Sequence, residues 1–209
     1  MSQFQQKQLA AAQSTVARSF QETNVHLFCE QGDLAEVRKA IEEKGEIVDK
    51  RDTRLQTPLH CACTGGHAQA MQVASYLLSK GADAEAKDGQ LVTPLHCAAA
   101  GGNAECCKML IAKGAVVNAR DDKSATPLHW ACQRGHMDCV TLLLAHGANT
   151  SAVNSKKQAP MDVIGELCYV RHDIAKAIKT KVCVVRRGVY MRHTSMWVLH
   201  TVLVFPSIH

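Results

Sequence analysis

The chain has no apolar run long enough to cross a bilayer. Its longest candidate, residues 196–205, is about ten residues and is broken by His200 and Thr201, whereas a helical span needs ~20. Residues 1–22 carry Gln, Ser and Lys and no extended apolar stretch, so no secretory leader is expected. Paired CxxC spacing is missing although ten cysteines are present. Cys61-Ala62-Cys63 and Cys106-Cys107 do not match a zinc or dithiol pair. No Lys-Ser or Lys-Thr follows Gly65-Gly66 or Gly101-Gly102 and no strand precedes them, so these are turn residues and not a phosphate cradle. No HExxH, Ser/His/Asp set or paired-carboxylate cluster stands out. These gaps leave no cofactor, metal or catalytic residue to nominate, and an enzyme is not expected. Unpaired thiols without a leader point to a reducing compartment, cytoplasmic or nuclear.

Positive charge is scarce where an array would need it for nucleic acid. The net charge is +5, but Arg171, Lys176, Lys179, Lys181, Arg186, Arg187 and Arg192 face Asp173 alone in residues 171–209. Residues 23–170 come out near −2. The basic balance belongs to the C-terminal end, and no nucleic-acid partner is expected for the rest.

What is present is a repeated helix pair. In Thr126-Pro127-Leu128-His129, Thr126 suits an N-cap, and Pro127 falls at the first helical position, where its missing N–H costs nothing. Leu128, Ala131 and Cys132 form an i, i+3, i+4 stripe, and Gly135 ends the helix. Val140, Leu143 and Leu144 repeat the spacing before Gly147. Helices this short are not stable alone, so the pair must bury its stripe against another copy. Copies exist. Thr93-Pro94-Leu95-His96 lies 33 residues earlier, and Thr57-Pro58-Leu59-His60 lies 36 before that. A weaker copy starts at Thr23, with His26 in the histidine column. A degenerate one follows at Ala159-Pro160-Met161-Asp162.

A period near 33 with three complete Thr-Pro-Leu-His motifs resembles the ankyrin repeat. The resemblance implies an all-α solenoid in which each repeat is a helix-turn-helix plus a β-hairpin finger. Repeats fall at 23–56, 57–92, 93–125 and 126–158, with a partial fifth at 159–181 whose Met161, Val163, Ile164 and Leu167 suggest a first helix. Ile174, Ala175 and Ile178 suggest its second, over His172 to Lys181. Residues 1–22 read as a flexible lead-in or a short helix docked on the first repeat. Residues 182–209 read as a basic and apolar tail: irregular, a partner- or membrane-surface segment, or an anchor. The charged second helix of repeat one, Leu34 to Lys44, is expected to bury Val37, Ala40 and Ile41 and suits a terminal repeat. Repeat two has three additional residues between Gly66 and Gly81, an extra helical turn or a longer loop. In repeat three Leu110 and Ile111 are expected to be buried.

The resemblance also implies residue roles. Thr57, Pro58, His60, Thr93, Pro94, His96, Thr126, Pro127 and His129 are structural, each His bonding to its own Thr and to neighbouring backbone. Cys29, Cys63 and Cys132 share a column usually held by small Ala, and Cys106 and Cys139 another usually held by Val. They read as core filler ahead of zinc or redox roles. Asn118 follows Leu110 at the spacing of ankyrin asparagines that are hydroxylated, or is a hairpin Asn making local bonds. Asp52, Asp88 and Asp121 are expected to stabilise finger turns. Finger residues Arg54, Gln90, Leu91, Lys123 and Lys156, with Trp130, Gln133 and Arg134 on a first helix, are candidate contacts for another protein. Trp130 is either half-packed filler or an interface anchor. The expected role is a scaffold or adaptor. The alternative is a regulatory subunit or inhibitor that uses the same face on an enzyme.

Overall fold

The computed structural model describes residues 25–43, 45, 47–65, 68–164 and 173–179. The expectations for segments 1–22 and 182–209 lie outside the described residues.

Each Thr-Pro step starts a helix. The helices α3 (Pro58–Thr64), α5 (Pro94–Gly101) and α7 (Pro127–Arg134) begin at their prolines behind an extended Thr, because the ring presets φ and removes an N–H that had no partner. Repeat one opens without proline at α1 (Val25–Gln31). The second helices are α2 (Leu34–Glu42), α4 (Ala68–Ser79), α6 (Ala104–Ala112) and α8 (Met137–Ala145). Asp33 and Asn103 cap α2 and α6 by accepting backbone N–H bonds. The helix α2 stops at Glu42, with Glu43 as its C-cap, slightly short of the expected Lys44.

The additional residues of repeat two lengthen the helix: α4 has 12 residues against 9 in α2. The longer helix carries Tyr76 onto α2. Its hydroxyl donates to Glu42 Oε1 at 2.9 Å. Arg38 lies 4.9 Å and Lys80 Nζ 5.5 Å from the ring centre. Glu42 and Lys80 close the cluster with an ion pair at 2.9 Å.

First helices stack on first helices and second on second, each repeat meeting its neighbours, as a solenoid requires. The stripes are the core: Leu128, Ala131, Cys132, Val140 and Leu143 have no exposed surface, and Leu144 has almost none. Ile111 differs from expectation. It is half-buried, because α6 turns Cys106, Cys107 and Leu110 inward and leaves Ile111 one step round the helix. Glycine makes the stacking possible at the helix turns. A Cβ on Gly101 would sit 2.6 Å from the Thr64 carbonyl oxygen, and one on Gly102 would sit 2.6 Å from His136 Nδ1.

The fingers are turns, with no strand among the described residues. Asp52 Oδ1 accepts the Arg54 and Gln56 N–H groups, both at 2.8 Å. Asp88 and Asp121 repeat the pattern, and Asn154 does so in the fourth finger. These turns hold Leu55, Leu91, Ser124 and Lys157 at φ of 61°, 58°, 57° and 59°. Fingers join side by side through Gly89 N–H to Arg54 O (2.9 Å), Asp122 N–H to Gln90 O (2.9 Å) and Ser155 N–H to Lys123 O (2.8 Å).

The start of the fifth repeat corrects its expectation. Asp162 Oδ2 accepts the Ala159 N–H at 2.8 Å, so the cap forms. Residues 160–163 are nevertheless a turn and not the first helix expected through Met161, Val163 and Ile164. Leu167 lies outside the described residues. Residues 173–179 are helical, with Ile174 and Ile178 buried and Ala175 half-buried.

Candidate partner-binding face

Each motif histidine locks two repeats. His60 Nδ1 accepts the Thr57 backbone N–H at 3.1 Å and the Thr57 hydroxyl at 2.9 Å. With Nδ1 accepting, the ring proton sits on Nε2, which donates to Val92 O of the next repeat at 3.0 Å. His96 bonds Thr93 and reaches Ala125 O at 3.2 Å. His129 bonds Thr126 and reaches Gln158 O at 3.1 Å. His26 plays the same linking part without a proline, its Nε2 lying 3.0 Å from Gln56 O and 2.9 Å from Lys50 O. Burial pushes His60, His96 and His129 below the ordinary imidazole range. Both ring nitrogens of these three are committed, and a proton on Nδ1 would displace the Thr N–H.

The column cysteines are inside. Cys29, Cys63, Cys106, Cys132 and Cys139 have no exposed surface. Burial raises the Cys29 thiol well above its usual range, and raises the half-buried Cys61 to about 11. Thiols held protonated are poor ligands and nucleophiles. Among the described residues no group of three or more His, Cys, Asp and Glu is arranged to hold a metal ion. Asn118 bridges repeats, accepting the Asn149 N–H at 2.8 Å and donating to Gly147 O at 3.2 Å.

Two depressions lie among the described residues on the face between the fingers and the first helices. One, of about 290 Å³, lies between the third and fourth fingers over α7. It brings together Gln90, Lys123, Trp130, Gln133 and Lys156, five of the expected contact residues. Trp130 is half-buried there. Its indole N–H donates to Asp121 Oδ2 at 3.0 Å, and its ring meets His96 edge-on at 5.7 Å. The other depression, of about 310 Å³, is lined by His26, Glu30, Arg54, Cys61 and Thr64, among others. Leu91 is half exposed on its fingertip, and Arg134 is exposed at the end of α7. Neither lines the depression beside α7. Asn154, Ser155 and Val163, which were not among the expected contact residues, also line that wall. The available signal was Asn154 standing in the column of the finger aspartates.

Among the described residues no helix is long and apolar enough to cross a membrane. Comparison with curated proteins gives no match. A family described as Ankyrin repeats (3 copies) matches residues 5–88 and again residues 71–156. Ankyrin repeats are generally protein–protein interaction modules. The two matches together span well over half of the chain, which therefore belongs to the ankyrin-repeat family.

Proposed function

We propose that this chain is a scaffold that binds another protein through the face formed by its fingers and first helices. One observation carries the reading. The depression beside Trp130 gathers side chains from three fingers and a first helix onto a frame whose backbone is already fixed by Asp and His bonds. A surface ordered before contact loses little entropy on binding. Trp130 offers a large, partly exposed ring whose orientation is set by Asp121, the kind of residue that dominates interface energetics. Binding is favoured over catalysis because the motif histidines are tied up at both nitrogens, the column thiols are buried, and burial keeps the Cys29 thiol protonated. The compartment proposed is the cytoplasm or nucleus, where such thiols stay reduced.

The test is affinity capture from cell extract with the wild-type chain, Trp130→Ala and Gln133→Ala, followed by a binding curve for any captured protein. Capture that weakens in both variants supports this face. Capture unchanged in both, or no capture by the wild type, overturns it.

A further inference from the structure

We infer that the row of fingers is a cationic strip that takes an acidic, extended polypeptide segment carrying apolar side chains at intervals. The inference rests on the protein-binding reading above and narrows its partner.

The strip arises from where the fingers direct their charges. The carboxylates of Asp52, Asp88 and Asp121 point inward, each Oδ1 accepting two backbone N–H bonds of its own turn. The second oxygen of Asp88 takes the Gln56 amide at 3.3 Å, and that of Asp121 takes the Trp130 indole. Asp88 and Asp121 are buried. The cations point outward: Arg54, Lys87, Arg120, Lys123, Lys156 and Lys157 are all exposed. None of them has an ion-pair partner among the described residues. Arg51 braces the row, donating to Leu55 O at 3.1 Å and to Lys87 O at 2.6 Å. Asp122 is the one exposed acid in these fingers.

Acidic side chains collect elsewhere. Glu36 and Glu42 lie on α2, Glu105 on α6 and Asp138 on α8. Residues 23–170 are close to neutral as a whole, but the exposed charges of the fingers are mostly positive, and acids such as Asp49, Asp83 and Glu85 in the connecting segments help offset them. Backbone bonds between successive tips set the cations in one line. A line of like charge raises the local concentration of the opposite charge and speeds its arrival.

The same tips favour polypeptide over nucleic acid. Leu55 is 50% and Leu91 47% exposed, held out at positive φ between the cations. An acidic segment with apolar side chains would satisfy both features. A phosphate backbone would leave the leucines wet, and the fingers contain no aromatic ring on which a base could stack.

The experiment titrates the full chain with fluorescein-labelled peptides of alternating Glu-Leu and alternating Lys-Leu, and with labelled oligothymidine. The basic residues beyond position 170 also attract anions, so the readout compares wild type with Lys123→Glu/Lys156→Glu, which leaves that end intact. The Glu-Leu peptide is expected to bind about tenfold more weakly to the variant, and to weaken with added salt. Leu91→Ser is expected to weaken it as well. Circular dichroism checks folding, and Arg54→Glu on the first finger gives the same test if the double variant misfolds. Equal affinity in wild type and charge-reversed chains overturns the inference. So does binding of the Lys-Leu peptide as tight as that of Glu-Leu, or oligothymidine bound more tightly and lost on the same reversal. If a captured protein depends on Trp130 but not on the charge reversals, only the acidic class of partner fails. If no partner depends on this face, the parent reading fails with it.

Discussion

Trp130 and Asp121 stand nine residues apart and meet at 3.0 Å, indole N–H to carboxylate. The bond joins the first helix of repeat four to the finger before it. It also uses both oxygens of Asp121, one on the turn and one on the ring. The side chain best suited to anchor a partner is thus oriented by the residue that shapes the neighbouring finger.

Trp130→Phe keeps a ring against His96 but leaves Asp121 Oδ2 without its donor. Because Asp121 is buried, the substitution is expected to cost about 1–3 kcal/mol of stability, read from a urea denaturation curve. Trp130→Ala is expected to weaken partner affinity by on the order of 2 kcal/mol. Equal affinity for both proteins would remove the anchor role, whatever happens to the fold.

Leu143 has no exposed surface and lies on the seam of α8, whereas Leu142, beside it, is half-buried. Leu143→Ala is expected to destabilise the chain by about 2–5 kcal/mol. Leu142→Ala should cost clearly less. A denaturation midpoint that responds equally to both, or more to Leu142→Ala, would mean the stripe is wrongly phased.

The helix pairs were legible because their punctuation is local. Thr126-Pro127 starts a helix and Gly135 ends it, and neither depends on distant residues. The part played by His129 could be carried over from its motif, but its reach to Gln158 O depends on the next repeat being stacked in place. Less legible was the fingertip backbone. Nothing about leucine suggests positive φ at Leu55 and Leu91, since the instruction sits in Asp52 and Asp88 three residues earlier. The turn at residues 160–163 was hidden because the apolar spacing of Met161, Val163 and Ile164 is the same as a helix would show. The depression beside Trp130 draws on segments from Gln90 to Val163, and such convergence cannot be seen until the chain is folded.

Positive φ at Leu91 has a measurable cost. An L-residue in this region is disfavoured by roughly 1–2 kcal/mol, and a β-branched one more so. Leu91→Val is therefore expected to lower stability by about 1 kcal/mol although the side chain is half exposed. Leu91→Gly relieves the backbone but frees the unfolded chain, so its net effect should be smaller and of the opposite sign. Thermal melting of the two variants gives the order. Valine as stable as glycine at this position would contradict the strained turn.

The histidine locks also set a pH dependence. Burial holds His60, His96 and His129 below 6.5 in the folded chain, while the unfolded chain keeps the ordinary value. Above that value neither state carries the proton, and the stabilisation is fully present. As pH falls through it, the unfolded state takes up protons first, so stability declines until the pH is below the folded values. Glu42, which Lys80 and Tyr76 hold below 4.5, responds only at more acidic pH. The urea midpoint should therefore drop between about pH 7.5 and about pH 5, and drop less steeply in His129→Gln, which has one such ring fewer. A midpoint that stays level or rises across that range would mean that the rings accept a second proton in place. The Thr N–H bonds to Nδ1 would then not be what fixes each histidine in its motif.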